Sequence, residues 1–427
     1  MLRLAYSLLL LLAVPLILLR LMARGLRQRG YWQNSGERFG RYSQAPLHDS
    51  LWIHAVSVGE MRATQPLIDR LRSDYPGCSI VVSCMTASGR EMAHELYADS
   101  VVCIYLPYDF FRLQRRFIAH FRPSVLLIME TEIWPNLLAA SRAENVPAVL
   151  VNGRLSEKSR RGYARFAPVR ALTRDALQSL HSVAAQSVAD GERFESLGAH
   201  SVFVTGNIKF DVPVDPSLVA RGRHWRESLP ASKRVLLAAS TREGEDTLLL
   251  DAYRKEFPAD ERGHLLLVVV PRHPQRFDAV RQLIQGAGFS TGRRSSGATP
   301  DAGVEVWLGD SMGEMAAYVA MCDVAFVGGS LLPLGGQNLI EVCAQGKPVI
   351  MGPSTFNFTD AARLASEAGA MRQGEDAGAV MRAARELLHN DDARAKASLA
   401  ALAFAGAHSG ATQKTMGLIA PLLSTEK

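Results

Sequence analysis

Metal-ligand spacing is missing from this chain. Its 11 histidines form no H-E-x-x-H or similar cluster. Its five cysteines, at 78, 84, 103, 322 and 343, show no paired metal spacing. They lie mostly in or beside apolar runs, as core thiols of a reducing compartment do. No metal centre is therefore expected. Short internal repeats are absent as well, and no RNA-binding motif accompanies the basic residues. Acid is scarce at one end only: residues 1–41 hold seven arginines and a single acid, Glu37. Taking the seven from 48 basic residues and the one from 42 acidic residues leaves 41 of each. The formal charge of +6 thus belongs to the N-terminus. The body is neutral, so net charge gives no reason to expect nucleic acid as a partner.

Charge is also absent from residues 4–19, a leucine-rich run bounded by Arg3 and Arg20. A secretory signal places its positive charge before the apolar core, whereas these arginines follow it. By the positive-inside rule, residues 1–29 are expected to be an uncleaved anchor that leaves the body in the cytoplasm. Sixteen uncharged residues fall somewhat short of the ~20 needed to span. Pro15 also interrupts the run, so a helix lying in the interface is the competing arrangement.

The remaining length is enough for two ordinary domains, and 48% hydrophobic with 21% charged residues suits a folded body. From residue 51 onward, short apolar runs alternate with helical patterns. Runs at 51–56, 80–83, 101–105, 125–129, 148–151, 183–185 and 202–205 read as buried strands of a parallel sheet. Amphipathic helices are expected at 65–72 and 134–144. A proline- and acid-containing stretch at 211–216 reads as a hinge. Strands then restart at 235–239, 265–270, 304–307, 324–327 and 348–351. Residues 293–303, polar and Ser/Gly-rich, read as a solvated loop. The expectation is an α/β protein of two doubly wound domains, 30–212 and 213–427, facing a cleft at the carboxyl ends of their strands.

Several strand exits carry polar groups. Glu60 closes His54-Ala-Val-Ser-Val-Gly-Glu60, and could act as a general base or merely as a helix-start acid. Glu130 ends an apolar run, where a carboxylate must be paired or face a cleft. Lys209, in Gly206-Asn-Ile-Lys-Phe-Asp211, could meet an anion or form a salt bridge with Asp211 or Glu130. In the second half, Arg272 of Pro271-Arg-His-Pro274 offers a planar fork suited to phosphate. Ser311 and Glu314 read as an S-x-x-E capping box, which leaves Gly313 unexplained. After the run 324–327, the pairs Gly328/Gly329 and Gly335/Gly336 precede an expected helix start. Asn338 and Glu341 would share one face of its first turn, suited to a phosphate-proximal group and a ribose. A plain strand–loop–helix joint is the alternative. Six basic residues between Arg154 and Arg170, interleaved with Tyr163 and Phe166, suggest an anionic membrane surface or an ordinary solvated face.

Taken together, these segments resemble the 3-deoxy-D-manno-octulosonic acid (Kdo) transferases of lipopolysaccharide synthesis. The resemblance rests on the N-terminal anchor, Tyr31-Trp-Gln-Asn-Ser-Gly-Glu-Arg38, Ser57-Val-Gly-Glu60, Glu130-Thr-Glu-Ile-Trp-Pro-Asn136 and Asn152-Gly-Arg-Leu-Ser156. It also rests on Gly206-Asn-Ile-Lys-Phe-Asp211, Pro271-Arg-His-Pro274 and Gly335-Gly-Gln-Asn-Leu-Ile-Glu341. Gln337 and Leu339 depart from the family, which more often has His and Pro there. The resemblance implies a GT-B glycosyltransferase with an N-terminal acceptor domain and a C-terminal donor domain. It implies inverting, metal-independent transfer of Kdo from CMP-Kdo to a lipid A precursor (lipid IVA) at the cytoplasmic face of the inner membrane. CMP-Kdo is then a substrate, and no cofactor is expected. By the same resemblance Glu60 is the base, and Glu130 and Lys209 stabilise the transition state. Pro271, Arg272, Met312, Gly313, Glu314, Asn338, Leu339, Ile340 and Glu341 hold CMP. Two rivals differ in class: another GT-B sugar-nucleotide enzyme using a UDP-sugar, and a non-catalytic membrane adaptor that binds nucleotide.

Overall fold

The computed structural model describes residues 1–297 and 299–423. The chain forms two compact units. The first comprises residues 1–212 together with the chain from Ser409 onward, and the second comprises Pro213–His408.

In the first unit seven parallel strands are β1 Ser50–His54, β2 Ile80–Cys84, β3 Val102–Tyr105, β4 Pro123–Met129, β5 Ala148–Gly153, β6 Ser182–Ala185 and β7 Val202–Val204. Their order is β3-β2-β1-β4-β5-β6-β7. Strands β1 and β4 are in register from Leu51 opposite Val125 to His54 opposite Ile128. The central strands are buried on both faces, which is why their sequences are continuous apolar runs without alternation. Residues of alternate parity feed two separate cores, one holding Leu51 and Ile53, the other Trp52 and Ile128.

The second unit repeats this plan with β8 Arg234–Thr241, β9 Leu265–Pro271, β10 Thr291–Arg293, β11 Val306–Leu308, β12 Val324–Val327, β13 Val349–Met351 and β14 Met371–Gln373. The order is β10-β11-β9-β8-β12-β13-β14, again all parallel. Every expected strand run coincides with a strand. Strands β10 and β14 were not expected. Both are three-residue edge strands with partly exposed, polar-containing sequences, which give no apolar run to read.

The chain after Ser409 corrects the expected boundary of the second domain. Helix Ala411–Leu423 returns to the first unit, where Ala411, Met416 and Ile419 join the core containing Leu51. Asp211 fastens this return, accepting the Gly410 and Thr412 N–H groups at 2.6 Å each. The acid that looked like part of a hinge is a helix-start anchor.

The N-terminal helix Leu2–Arg27 is long and apolar enough to cross a membrane by length and composition.

Candidate active site

In a doubly wound sheet the carboxyl ends of the strands flanking the point where strand order reverses are the natural place for ligands. In the first unit that point lies between β1 and β4. Glu60 follows β1 and Glu130 follows β4, so the fold brings these two acids to neighbouring strand exits.

Glu60 sits in the first turn of helix Val58–Ala63, capped by Ser57, whose Oγ accepts the Glu60 N–H at 3.3 Å. The Glu60 carboxylate accepts the Val56 N–H and the Ser57 hydroxyl, each at 2.8 Å. These are the bonds of a helix-start acid, and they orient the side chain. They do not neutralise it. Glu60 is only 8% exposed. Burial pushes its carboxyl up to about 7; the bond from Val56 opposes this rise, and the negative charge of Glu130 adds to it.

Glu130 occupies the left-handed region at φ +56°, an uncommon and costly conformation for a residue with a Cβ. Its N–H still donates to the Val151 carbonyl at 2.9 Å, so the strand ends there in a forced bend. The Lys209 ammonium lies 2.7 Å from Glu130 Oε1, both side chains one-fifth exposed. Lys209 reaches this place from the short helix Ile208–Asp211, whose start is set by Asn207 and by Asn152, which accepts the Ile208 N–H at 3.0 Å. Of the two expected partners for Lys209, the structure selects Glu130; Asp211 is occupied elsewhere. Burial also raises the Glu132 carboxyl, which accepts from the Trp134 indole at 2.7 Å.

The second-unit residues lie at the exits of β9, β11 and β12. In the sheet order, β11 and β12 are three strand spacings apart, about 14 Å, a span that a nucleotide can bridge. Pro271 is buried at the end of β9, and Arg272 follows it half-buried. Arg242, Arg272 and Arg276 surround His273 closely enough to lower its imidazole, after burial, below the usual value. Arg276 pairs with buried Asp246 and donates to the Thr241 carbonyl, while the guanidinium forks of Arg242 and Arg272 suit an anionic group.

Two local expectations are corrected. The Ser311/Glu314 capping box does not form, because the helix begins later, at Met315. Ser311 bonds the Tyr318 hydroxyl at 2.7 Å and also the Glu314 side chain, outside any helix cap. Glu314 takes Arg294 in a fork at 3.0 and 3.1 Å and also pairs with Arg221; the Ser311 hydrogen bond and these contacts oppose burial and hold its carboxyl below the usual range. Gly313 therefore precedes the helix rather than lying in its first turn. Its φ of +79° accounts for the glycine. Met312 is exposed. Likewise no helix starts at Gly335/Gly336. These residues turn with φ +87° and +75°, and the helix is the single turn Ile340–Cys343. Asn338 lies before it and folds back, accepting the Ile340 N–H at 3.1 Å. Asn338 and Glu341 thus do not share a first-turn face, and a one-turn helix carries little dipole. Leu339 and Ile340 are buried, so only their backbones can meet a ligand.

Glu245 was missed. It is fully buried at the start of helix Glu245–Glu256. Its carboxylate accepts N–H groups from Gly329 at 2.6 Å, Leu331 at 2.9 Å and Arg242 at 2.8 Å. One side chain therefore ties the exit of β8 to the glycine loop after β12. The available signal was an acid directly after a glycine at a strand exit; its two loop partners, Gly329 and Leu331, lie 84 and 86 residues away and were not legible.

A family model described as "3-Deoxy-D-manno-octulosonic-acid transferase (kdotransferase)" matches residues 33–212. The chain is 42% identical over 418 residues to the 3-deoxy-D-manno-octulosonic acid transferase of Bordetella pertussis, covering 94% of this chain and 95% of the relative. With the enzyme of the same name from Haemophilus influenzae it shares 36% identity over 429 residues, 99% of each chain. Among solved structures, UDP-GlcNAc 2-epimerase from Neisseria meningitidis aligns with a TM-score of 0.60 at 14% identity, over 87% of this chain and 100% of that one. That likeness bears on fold alone and marks the two seven-stranded units as GT-B-like. Near-full-length identity of this size establishes that the chain belongs to the Kdo transferase family of glycosyltransferases.

Proposed function

We propose that the protein transfers Kdo from CMP-Kdo to a hydroxyl of a lipid A precursor such as lipid IVA, with inversion, and that Glu60 is the general base. The observation that carries this reading is Glu60 itself: a buried carboxylate oriented by two donors, neither of them a cation, and raised to about 7. A base poised near neutrality accepts a proton most usefully. In the step, the acceptor oxygen attacks the anomeric carbon as its proton passes to Glu60. The bond from that carbon to the phosphate oxygen breaks, and CMP departs with the electron pair. Lys209, held by Glu130, supplies positive charge for the sugar carboxylate, and Glu130 supports the oxocarbenium-like charge that develops.

In the second unit the basic cluster beside Pro271 and Arg272 takes the phosphate of CMP. The backbone around 312–314 and 338–341, with the Asn338 and Glu341 side chains, holds the nucleoside. The reaction as written calls on no cofactor and no metal. The apolar N-terminal helix and the exposed basic residues between 154 and 170 attach the protein to an anionic membrane surface, the cytoplasmic face of the inner membrane in our reading.

Incubating the full-length protein with CMP-Kdo and lipid IVA tests this directly. Mass spectrometry should show the acceptor heavier by whole Kdo units, with matching release of CMP. Competition by uridine nucleotides but not by CMP would overturn the donor assignment. Nucleotide binding without turnover would favour the adaptor.

A further inference from the structure

The first-unit body and its N-terminal helix are fastened at both ends of the helix. Near its start, the Tyr6 hydroxyl donates to Asp109 Oδ2 at 3.0 Å and Asn136 Nδ2 donates to Ser7 Oγ at 3.0 Å. The Arg3 guanidinium lies over the Phe111 ring at 4.8 Å. Near its end, the Trp32 indole occupies the space where a Cβ on Gly25 would sit, and Gln28 Nε2 donates to Glu91 at 3.2 Å. The segment that follows is held too. Tyr105 donates its hydroxyl to the Gly30 carbonyl at 3.0 Å and its N–H to Glu37 at 2.8 Å. Arg38, 2% exposed, stacks on Tyr105 and donates to the Met85 carbonyl.

Between its ends the helix keeps one stripe against the protein. Tyr6, Leu10, Val14, Ile17 and Leu21 are half-buried at three- and four-residue spacing and end at buried Gly25. The helix packs on Pro135–Ala143 and Ala167–Gln178. The opposite half is a continuous apolar face: Leu4, Leu8, Leu12, Leu19 and Leu26 are each more than half exposed. Among the described side chains of the helix, no charged one lies within this face. By the helical step of about 100°, Arg3, Arg20 and Arg24 fall at its borders or on the docked side.

We infer that this helix lies in the plane of one leaflet as a monotopic anchor and does not cross the bilayer. The inference rests on the membrane attachment proposed above. A helix of 26 residues is about 39 Å long, so composition alone would let it span. Spanning would carry one end of it ~30 Å from the body. The bonds at that end would break, and buried Asp109 would lose its Tyr6 partner. Lipid would also surround the stripe that carries Tyr6 and Ser7. In-plane seating breaks nothing and buries only the leucine face, at the shallow depth usual for interfacial helices, about 5–10 Å.

The occupant of that face is a bilayer with anionic headgroups rather than a second copy. Cations border the face, and beside the helix the first turn of Ala167–Gln178 exposes Phe166 (58%) and Val169 (40%) among Arg165 and Arg170, which are also exposed. Apolar side chains ringed by arginines match acyl chains beneath phosphates.

The test uses the full-length protein bound to vesicles of phosphatidylethanolamine and phosphatidylglycerol. Nitroxide labels are placed one at a time by Leu4→Cys, Leu12→Cys, Leu19→Cys and Leu26→Cys, with unsubstituted protein as the control for native thiols. Oxygen and nickel-chelate accessibilities should report one shallow depth at all four positions. A depth that rises to a maximum near position 12 and falls again toward position 4 would overturn the in-plane seating while leaving attachment intact. Failure to sediment with vesicles would overturn attachment and seating together, as would a discrete lipid-free dimer formed through this face. In a second measurement, Leu12→Glu should weaken vesicle partitioning about tenfold or more, from loss of one buried leucine. Unchanged partitioning would count against the leucine face as the lipid contact.

Discussion

The two units share one strand order and differ in how they treat the carboxylates at their strand exits. In the first unit, burial raises Glu60 to about 7 and Asp109 to about 6, and it raises Glu132 as well. In the second unit, Asp310 and Glu314 are held below the usual range, despite burial, by Ser295 with Arg293 and by Ser311 with Arg294 and Arg221. Glu245 is spent on three backbone N–H groups. The same fold thus disfavours the charged form of acids in the first unit and uses those of the second to fasten loops; Asp109 does both, since it accepts the Tyr6 hydroxyl and the Asn136 and Leu137 N–H groups. An acid kept uncomfortable is a candidate for chemistry, and Glu60 is the one proposed for it.

The comparison breaks most visibly at Glu60. Glu60→Gln keeps size and most hydrogen bonding but cannot take a proton, so turnover should fall by about 10²–10⁴-fold, with CMP affinity nearly unchanged. Near-normal turnover would reduce Glu60 to a helix-start acid.

The same substitution should stabilise the protein. A carboxyl raised in the folded state favours folding below its unfolded value near 4.5 and loses that contribution as pH climbs through about 7. Glu60→Gln should therefore be more stable than the parent at pH 8, by at most about 3 kcal/mol, and equal to it at pH 4. Denaturant melts at the two pH values measure this. A loss of stability at pH 8 would contradict the buried-charge account.

On the other side of the comparison, Glu245→Gln replaces a carboxylate facing three N–H donors with an amide that presents its own donor. At least one loop bond is lost, and a hydrogen bond to a charged group is worth about 1.5–3 kcal/mol, so CMP should bind about tenfold more weakly or worse. Glu341→Ala should cost a similar factor through the ribose. Calorimetry checks both, and unchanged affinity in Glu245→Gln would free the loop from its proposed fastener.

The smallest effect is the most discriminating. The acid limb of the pH–rate profile should lie near 7 in the parent. Glu130→Gln removes a repelling charge and should move the limb to lower pH. Lys209→Met strips Glu130 of its cation and should move it to higher pH. Both variants will be slow, so the limb position, not the rate, is the readout. Shifts in the same direction would show that the three groups are not electrostatically linked.

The sequence carried much of this comparison. Buried parallel strands announce themselves as apolar runs, and acids that end such runs are conspicuous, which is how Glu60 and Glu130 were found. Edge strands β10 and β14 were silent because three half-exposed residues leave no period. The helix after Gly335/Gly336 was placed too early, because glycine pairs mark a turn without saying how long it lasts. Glu245, Asp109 and the Asn136 bond to Ser7 depend on partners far along the chain, and no local pattern encodes those. Asp211 was misread for the same reason: its partners lie 199 and 201 positions away.

That last bond has a consequence for the order in which the molecule can be finished. The core containing Leu51 stays open until Ala411, Met416 and Ile419 have left the ribosome. At ordinary synthesis rates, the whole of Pro213–His408 must be made in between, a delay of roughly ten to forty seconds. The second unit is contiguous and can close on its own during that interval. The unit that carries Glu60, although synthesised first, is completed last, while its leucine-faced helix has already been free to meet lipid.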